Sequence, residues 1–240
     1  MLENIRNKDV LFLDIETVSE HPSYNELPER MKELWAKKTK YIQEKEETSP
    51  EELYGRAGIY SEFGKIVCIS VGFMVNIDKI WHFRLKSFYG DNEKELLKNF
   101  NNLLGKSFKR DNQYLCGHNA KEFDFPYIAR RSLINSLKLP PQLNIAGKKP
   151  WEVKHLDTMD LWKFGDYKHY TSLNLLTAIF DIPTPKDDID GSEVGRVYWE
   201  EKNLERIAEY CQKDVLAVAQ LFLRYKGEDL ILPENIEVVT

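Results

Sequence analysis

An apolar run near the amino terminus, residues 10–17 (V-L-F-L-D-I-E-T), is interrupted by Asp14 and Glu16. Side chains two positions apart on a strand point to the same face, roughly 7 Å from each other. A buried strand here therefore aims two carboxylates at one spot. Like charges this close are costly unless a cation lies between them, and Mg²⁺ or Mn²⁺ takes oxygen ligands of this kind. The alternative is a strand that ends at Asp14, with both acids turned to solvent.

The rest of the apolar pattern predicts strands first and then an alternation of strands and helices. Strands are predicted over 65–75, 78–88, 113–117 and 153–157, the first two forming a hairpin around a turn at 76–78. Helices are predicted over 92–104, 123–137, 173–180 and 204–225. This order indicates an α/β fold in which helices flank a mixed sheet. Because no repeat, low-complexity tract or long linker interrupts the chain, we expect one domain over residues 1–240.

Residues 19–62 are polar and charge-rich, and they read as a helical insertion after the first strand. Pro28 can begin a helix, and a second start signal lies at Ser49 and Pro50. Apolar or long side chains follow the first signal at spacings near 3.6, namely Met31, Leu34, Trp35, Lys38 and Ile42. The insertion is either a solvated helical hairpin or a flap over the carboxylate strand.

The net charge and the absence of targeting patterns argue against several classes of protein. The net charge of −5 argues against a protein that coats nucleic acid by bulk electrostatics, although an enzyme can still grip a strand locally. No apolar run approaches the ~20 residues of a membrane helix, and no signal-peptide pattern opens the sequence. Three separated cysteines without a C-x-x-C fit a cytoplasmic protein, and we expect them to be buried without a metal or redox role.

Two more acidic positions have distinctive surroundings. Asp124 follows a predicted strand within G-H-N-A-K-E-F-D, where an Asp is often only the N-cap of the next helix. Asp214 lies beside the apolar face of the last helix, and burying its charge without a partner is expensive. Tyr210 precedes it by one helical step, so both side chains share a face. Tyr210 can alternatively be a core aromatic. Asp157 and Asp160 read as hydrogen-bonding or capping residues.

Taken together, these motifs resemble the DEDD superfamily of 3′→5′ exonucleases in its tyrosine subclass. Asp14 and Glu16 match the first motif, H-N-A-K-E-F-D with Asp124 the second, and Tyr210 with Asp214 the third. The surrounding sequence, such as F-G-K-I-V-C-I-S-V-G and the later Y-C-Q-K-D-V, is most similar to stand-alone relatives of the proofreading exonuclease domain of family-B DNA polymerases. The resemblance runs from about residue 10 to residue 225 and implies an RNase H-like fold.

The resemblance implies hydrolysis of phosphodiesters with two divalent metal ions, Mg²⁺ or Mn²⁺. Asp14 would bridge the ions, Glu16 and Asp214 would complete the first site, and Asp124 would hold the second. Tyr210 would orient the attacking water. A phenol with its ordinary pKa of about 10 is a poor base at neutral pH, so most of the activation falls to the metal.

The resemblance also places residues beside the terminal nucleotide. Asn119 and Phe123 would contact it, and the backbone of Thr17 would meet the 3′-hydroxyl. Ser172 and Leu173 would separate the last two bases. The alternatives are a loop hydrogen bond for Asn119 and a core position for Phe123. Candidate phosphate contacts, for which a solvated surface charge is the commoner outcome, are Lys121, Arg130 and Arg131.

We therefore expect a metal-dependent 3′→5′ exonuclease that releases nucleoside monophosphates from single-stranded DNA. The alternatives are an exoribonuclease of the same superfamily and a non-catalytic nucleic-acid-binding protein. The expected partner is a single-stranded 3′ end, with RNA possible and no membrane, and a DNA replication or repair protein is a further candidate.

Overall fold

The computed structural model describes residues 2–166, 170–183 and 189–239, and these build one mixed sheet of six strands. The order across the sheet is β5-β4-β1-β2-β3-β6. The strands span β1 Val10–Ser19, β2 Gly64–Ile77, β3 Ile80–Tyr89, β4 Tyr114–Gly117, β5 Leu156–Asp157 and β6 Ile236–Val238. β1, β2 and β3 form an antiparallel meander, whereas β4 runs parallel to β1 and to β5. The mixed α/β architecture is confirmed and is consistent with an RNase H-like fold.

Helices cover both faces of this sheet. They span α1 Glu29–Glu46, α2 Glu93–Ser107, α3 Asp124–Ile134, α4 Thr158–Lys163, α5 Leu173–Ile179, α6 Val194–Arg196 and α7 Leu204–Lys226. No helix within the described ranges is both long enough and apolar enough to cross a bilayer. The short helix α6 continues as a π-helical turn over Val197–Glu201.

The alternation of side chains along β1 separates the two faces. Leu11, Leu13 and Ile15 pack with α2 and α3 on one side. Val10 and Phe12 pack with α7 on the other. Because even-numbered side chains of β1 point toward α7, the pleat directs Asp14 and Glu16 to that helix. The amphipathic pattern of the strand and of α7 thus brings the first and third motifs together.

The turn between β2 and β3 begins two residues later than the sequence predicts. Ile77 pairs with Ile80, and the two-residue loop consists of Asp78 and Lys79 with φ of 50° and 67°. Two consecutive positive φ angles define the type I′ turn, whose twist matches that of the flanking strands. The exposed residues Asn76 and Ile77 continue the ladder, so the polar Asn76 does not mark the turn.

Several element boundaries differ from the expectation. α3 ends at Ile134 because Ser136 adopts a left-handed backbone with φ of 58°. The predicted strand over 153–157 is reduced to Leu156–Asp157, since Asp157 already caps the next helix. The second helical start of the insertion gives a 3₁₀ helix, Glu52–Ile59, with a reciprocal cap between Ser49 and Glu52. The sequence pattern does not predict α4, α6 or β6.

The insertion has a small core of its own around Trp35, which is fully buried and donates from Nε1 to the carbonyl of Pro50 at 2.7 Å. Other buried members of this cluster are Leu27, Leu53, Tyr54, Ala57 and Phe63. The 3₁₀ helix is also tied to the main body, because the hydroxyl of Tyr127 donates to the Gly58 carbonyl at 2.7 Å. The insertion is therefore packed rather than a solvated hairpin. The count of one domain stays a prediction.

A buried ion pair joins α2 to α3. Arg131 is 3% exposed and donates to both carboxylate oxygens of Glu93, at 2.8 and 2.6 Å. The same guanidinium donates to the carbonyl of Ser61 at 3.0 Å. Glu93 also accepts from the amide of Ile66 at 2.8 Å. The interpretation of Arg131 as a phosphate contact is wrong, because its donors are used inside the fold.

We expect Arg131→Met to lower the free energy of unfolding by about 3–5 kcal/mol, since it leaves the Glu93 carboxylate buried without its partner. Urea denaturation measures the change. The neighbouring exposed Arg130→Met is the control and should stay within about 0.5 kcal/mol of wild type. A loss for Arg131→Met no larger than that of the control would show that the pair does not hold α2 and α3 together.

Candidate active site

β1 supplies the first two acids from the middle of its pairing with β2. Asp14 lies opposite Ser70 and Glu16 opposite Cys68, and the register shifts immediately after Glu16. Glu16 is 7% exposed. A bulge at this position bends the strand and re-aims its side chains, a device that recurs beside active sites. The two carboxylates therefore leave the sheet together on the α7 side.

α7 supplies Tyr210, Cys211 and Asp214 from one face. The hydroxyl of Tyr210 hydrogen-bonds to the Asp214 carboxylate. The thiol of Cys211 donates to the Asp14 carbonyl oxygen at 3.4 Å and lies 3.5 Å from Asp14 Oδ2. One ligand atom from each of Asp14, Glu16 and Cys211 lies within 4.8 Å of the others.

Cys211 is the residue that sequence reasoning missed. All three cysteines are buried and free, as expected, but this thiol touches the carboxylate cluster. It also hydrogen-bonds to Cys68, the residue opposite Glu16 in β2. The available signal was its position, one residue after Tyr210 and three before Asp214 on the helix face that meets β1.

Asp124 begins α3 but does not cap it, since Phe123 occupies the N-cap position. Its carboxylate accepts hydrogen bonds from its own amide and from the amide of Ile15, the residue between Asp14 and Glu16. Burial raises the pKa of Asp124 to about 8 despite these bonds, and the negative charges of Asp157 and Asp214 also raise it. The second motif is thus fixed directly to the strand of the first.

Asp157 fixes the loop that leads to Asp124. This carboxylate is 2% exposed and accepts from the amides of Asn119 at 2.9 Å and Lys121 at 3.0 Å. It also accepts from the amide of Met159 at 3.0 Å, at the start of α4. The prediction that Asp157 has a hydrogen-bonding and capping role is confirmed. Asp160 forms ion pairs with Lys121 at 3.6 Å and with Lys163 at 3.1 Å.

The carboxylates raise one another's pKa. Burial raises the pKa of Asp14 well above its usual range, and the charges of Asp124 and Asp214 raise it further. Burial also raises the pKa of Glu16, with Asp14 and Asp214 as its main charged neighbours. Among the described residues, the side chains whose charge raises these two pKa values are the neighbouring acids and the Cys68 thiol. Such a donor set, rich in oxygen and negative charge, fits hard divalent cations.

Two of the residues expected to contact substrate, Thr17 and Phe123, meet at Tyr127, and a third, Asn119, lies in the loop before α3. The hydroxyl of Thr17 hydrogen-bonds to Tyr127, and the ring of Phe123 lies 5.3 Å from the Tyr127 ring. Phe123 is half-buried against the core between α3 and the sheet. Asn119 has φ of 60°, and its buried Oδ1 has no hydrogen-bond partner in the described part of the chain. An unsatisfied buried oxygen in a strained loop is typical of a functional position.

Ser172 and Leu173 lie at the start of α5. Ser172 caps this helix by accepting from the amide of Leu175 at 3.3 Å, and Leu173 packs against the α7 side of the core. His118 ties the segment to the second motif, because its ring bonds to Thr158 Oγ1 and to the Thr171 carbonyl, both at 2.9 Å. Residues 171–173 are therefore held against the loop that contains Asn119.

Residues 59–231, well over half of the chain, match the model of a family described as "Predicted 3'-5' exonuclease related to the exonuclease domain of PolB". The chain belongs to this family. Asp124, Tyr210 and Asp214 lie inside the matched range, whereas Asp14 and Glu16 precede it. Exonucleases of this kind typically depend on divalent metal ions.

A DNA polymerase of Pyrococcus glycovorans is similar to part of the chain. The two are 23% identical over 142 residues, which cover 54% of this chain and 18% of the polymerase. This chain thus spans a small part of that relative's length.

We expect the metal-free protein to lose stability as pH rises. A buried acid with a raised pKa keeps its proton in the folded state while the unfolded chain releases it near pH 4. Between that pH and about 8, the folded pKa of Asp124, the unfolded state is favoured by up to about 1.4 kcal/mol per pH unit for each such group. Denaturation in EDTA at several pH values measures this slope.

Asp124→Asn provides the control for this pH dependence: the amide cannot titrate, so the slope should fall by the share of Asp124 while that of Asp14 and Glu16 remains. Added Mn²⁺ should raise the midpoint of wild type most at high pH, where the carboxylates are ionised. A wild-type profile in EDTA that is as flat as that of the variant would contradict the arrangement of charges described above.

Proposed function

We propose that this protein is a 3′→5′ exonuclease of the tyrosine subclass, which removes nucleoside monophosphates from the 3′ end of single-stranded DNA with two divalent metal ions. The observation that carries the proposal is the convergence of Asp14, Glu16, Asp124 and Asp214 at one buried corner, with Tyr210 hydrogen-bonded to Asp214. Mutual repulsion among these acids favours the binding of Mg²⁺ or Mn²⁺ between them.

Each acid has a role in this proposal. Asp14, from the first motif, is influenced by the charges of both Asp124 and Asp214 and would be shared between the two ions. Glu16 on β1 and Asp214 on α7 would hold the first ion, and Asp124 at the start of α3 would hold the second. When bound, the ions stabilise both the attacking and the leaving oxygen of the displacement.

Tyr210 acts as a hydrogen-bonding phenol rather than as a base. Burial and the surrounding carboxylates raise the pKa of Tyr210 well above its ordinary value, so the hydroxyl keeps its proton at neutral pH. It accordingly orients the attacking water. Asp157 positions Asn119 beside the terminal nucleotide through the backbone, and residues 171–173 lie against the same loop.

Digestion of a 5′-labelled single-stranded DNA oligonucleotide with Mn²⁺ tests the reaction. Wild type should produce a ladder that shortens from the 3′ end, and Asp214→Ala should produce none because one ligand of the first ion is lost. Glu209→Ala, an exposed acid on the same helix, is the matched control and should leave the ladder unchanged. An intact strand with wild type, or an equal ladder with Asp214→Ala, would refute the proposal, and faster cleavage of a matched RNA would reassign the substrate.

Tyr210→Phe separates the positioning of water from the binding of metal. We expect the single-turnover rate to fall on the order of 10²-fold, since the ring is kept and only the hydroxyl is lost. The rise in melting temperature on addition of Mn²⁺ should be retained, because the carboxylates are untouched. An unchanged rate would exclude the proposed role of the hydroxyl, and a lost metal response would indicate a structural role instead.

A further inference from the structure

A groove of about 310 Å³ lies along the outer side of α3, next to the proposed site. One wall is the face of α3 formed by Pro126, Ala129, Arg130 and Leu133, which recur at helical spacing. The segment that follows α3 and includes Ile145 forms the other wall. Because an α-helix rises by about 1.5 Å per residue, the α3 wall from Pro126 to Leu133 is about 10 Å long.

The charge of this groove is opposite to that of the chain. The whole protein has a net charge of −5, but the described residues that line the groove include Lys121, Arg130 and Lys148 and no acid. Arg130 and Lys148 are exposed. Lys121 is partly neutralised by Asp160 at 3.6 Å, so the first two supply most of the positive potential. Between these cations the floor is apolar, which suits an anionic ligand with flat apolar parts.

The position of the groove indicates which anionic ligand it meets. Lys121 belongs to the loop between Asn119 and Asp124, and its backbone is held by Asp157 together with that of Asn119. α3 itself begins at Asp124. A strand that leaves the carboxylate corner along α3 therefore enters the groove directly.

An exposed aromatic residue extends this surface. Trp151 is 77% exposed and lies two residues before Val153, which lines the groove. The ammonium of Lys149 lies 5.2 Å from the centre of its ring. Aromatic faces that stand beside cations are the platforms on which proteins stack the bases of single strands.

We propose that this groove binds the single strand on the 5′ side of the nucleotide being removed. Phosphates contact Arg130, Lys148 and Lys121, sugars and base edges lie on the apolar floor, and a base stacks on Trp151. The inference rests on the proposed exonuclease function, and it adds a strand-binding site outside the metal-binding acids.

The test measures strand binding apart from hydrolysis. Binding of a 5′-fluorescein oligothymidylate of about a dozen nucleotides is followed by anisotropy in EDTA, from low to moderate salt. Removing two phosphate contacts with the double variant Arg130→Gln/Lys148→Gln should reduce the slope of log K against log salt by about 1.4, at about 0.7 per contact. The control Lys94→Gln/Lys98→Gln removes the same charge from the exposed side of α2 and should keep the wild-type slope.

Trp151→Ala tests the stacking platform separately. It should weaken binding about fivefold or more while leaving the salt slope as in wild type, because stacking releases no counterions. An oligothymidylate of two nucleotides, too short to reach the groove, should respond to neither change.

The outcomes separate this inference from the exonuclease function. If wild type produces a ladder but Arg130→Gln/Lys148→Gln keeps the wild-type salt slope, the proposed groove is refuted and the exonuclease function is not. The same conclusion follows if the α2 control changes the salt slope by an equal amount. Absence of wild-type binding also overturns it. A reduced slope without a ladder leaves a strand-binding groove but refutes the reaction.

Discussion

Electrostatic repulsion inside one corner of the sheet is the constraint on which the rest of this structure depends. Glu16 and Asp124 are buried and Asp14 is half-buried, and the charges of neighbouring acids raise the pKa of all three. Burying such charges is costly without a counterion, and the fold offsets that cost elsewhere. Both faces of β1 contribute to this, because its odd-numbered side chains join one apolar core and its first even-numbered ones join another.

Backbone hydrogen bonds hold Asp124 and its neighbour Asp157 in place. The amide of Ile15 binds Asp124, and the amides of Asn119, Lys121 and Met159 bind Asp157. Backbone donors are fixed by the strands and helix starts that contain them, so these two carboxylates keep their positions beside β1. The strain of the αL residue Asn119 is sustained by the same contacts.

Much of this architecture follows from short-range patterns. Alternation along residues 10–17 and the four-residue step from Tyr210 to Asp214 predict both the elements and the direction of their polar side chains. Long-range pairing is different. The ion pair between Arg131 and Glu93 joins residues 38 positions apart, and it depends on how α2 and α3 pack. The local sequence around Arg131 indicates only a surface cation. Cys211 likewise looks like any small core residue until β1 is placed beside α7.

The contacts between the insertion and α3 limit how the length of such a chain can change in evolution. The carbonyls of Gly58 and Ser61 accept hydrogen bonds from Tyr127 and Arg131, two side chains of α3. Excising the insertion would remove acceptors from a buried phenol and a buried guanidinium at once. A shortened homologue would therefore have to change α3 as well, so gain or loss of this segment in evolution should be accompanied by substitutions at positions 127 and 131.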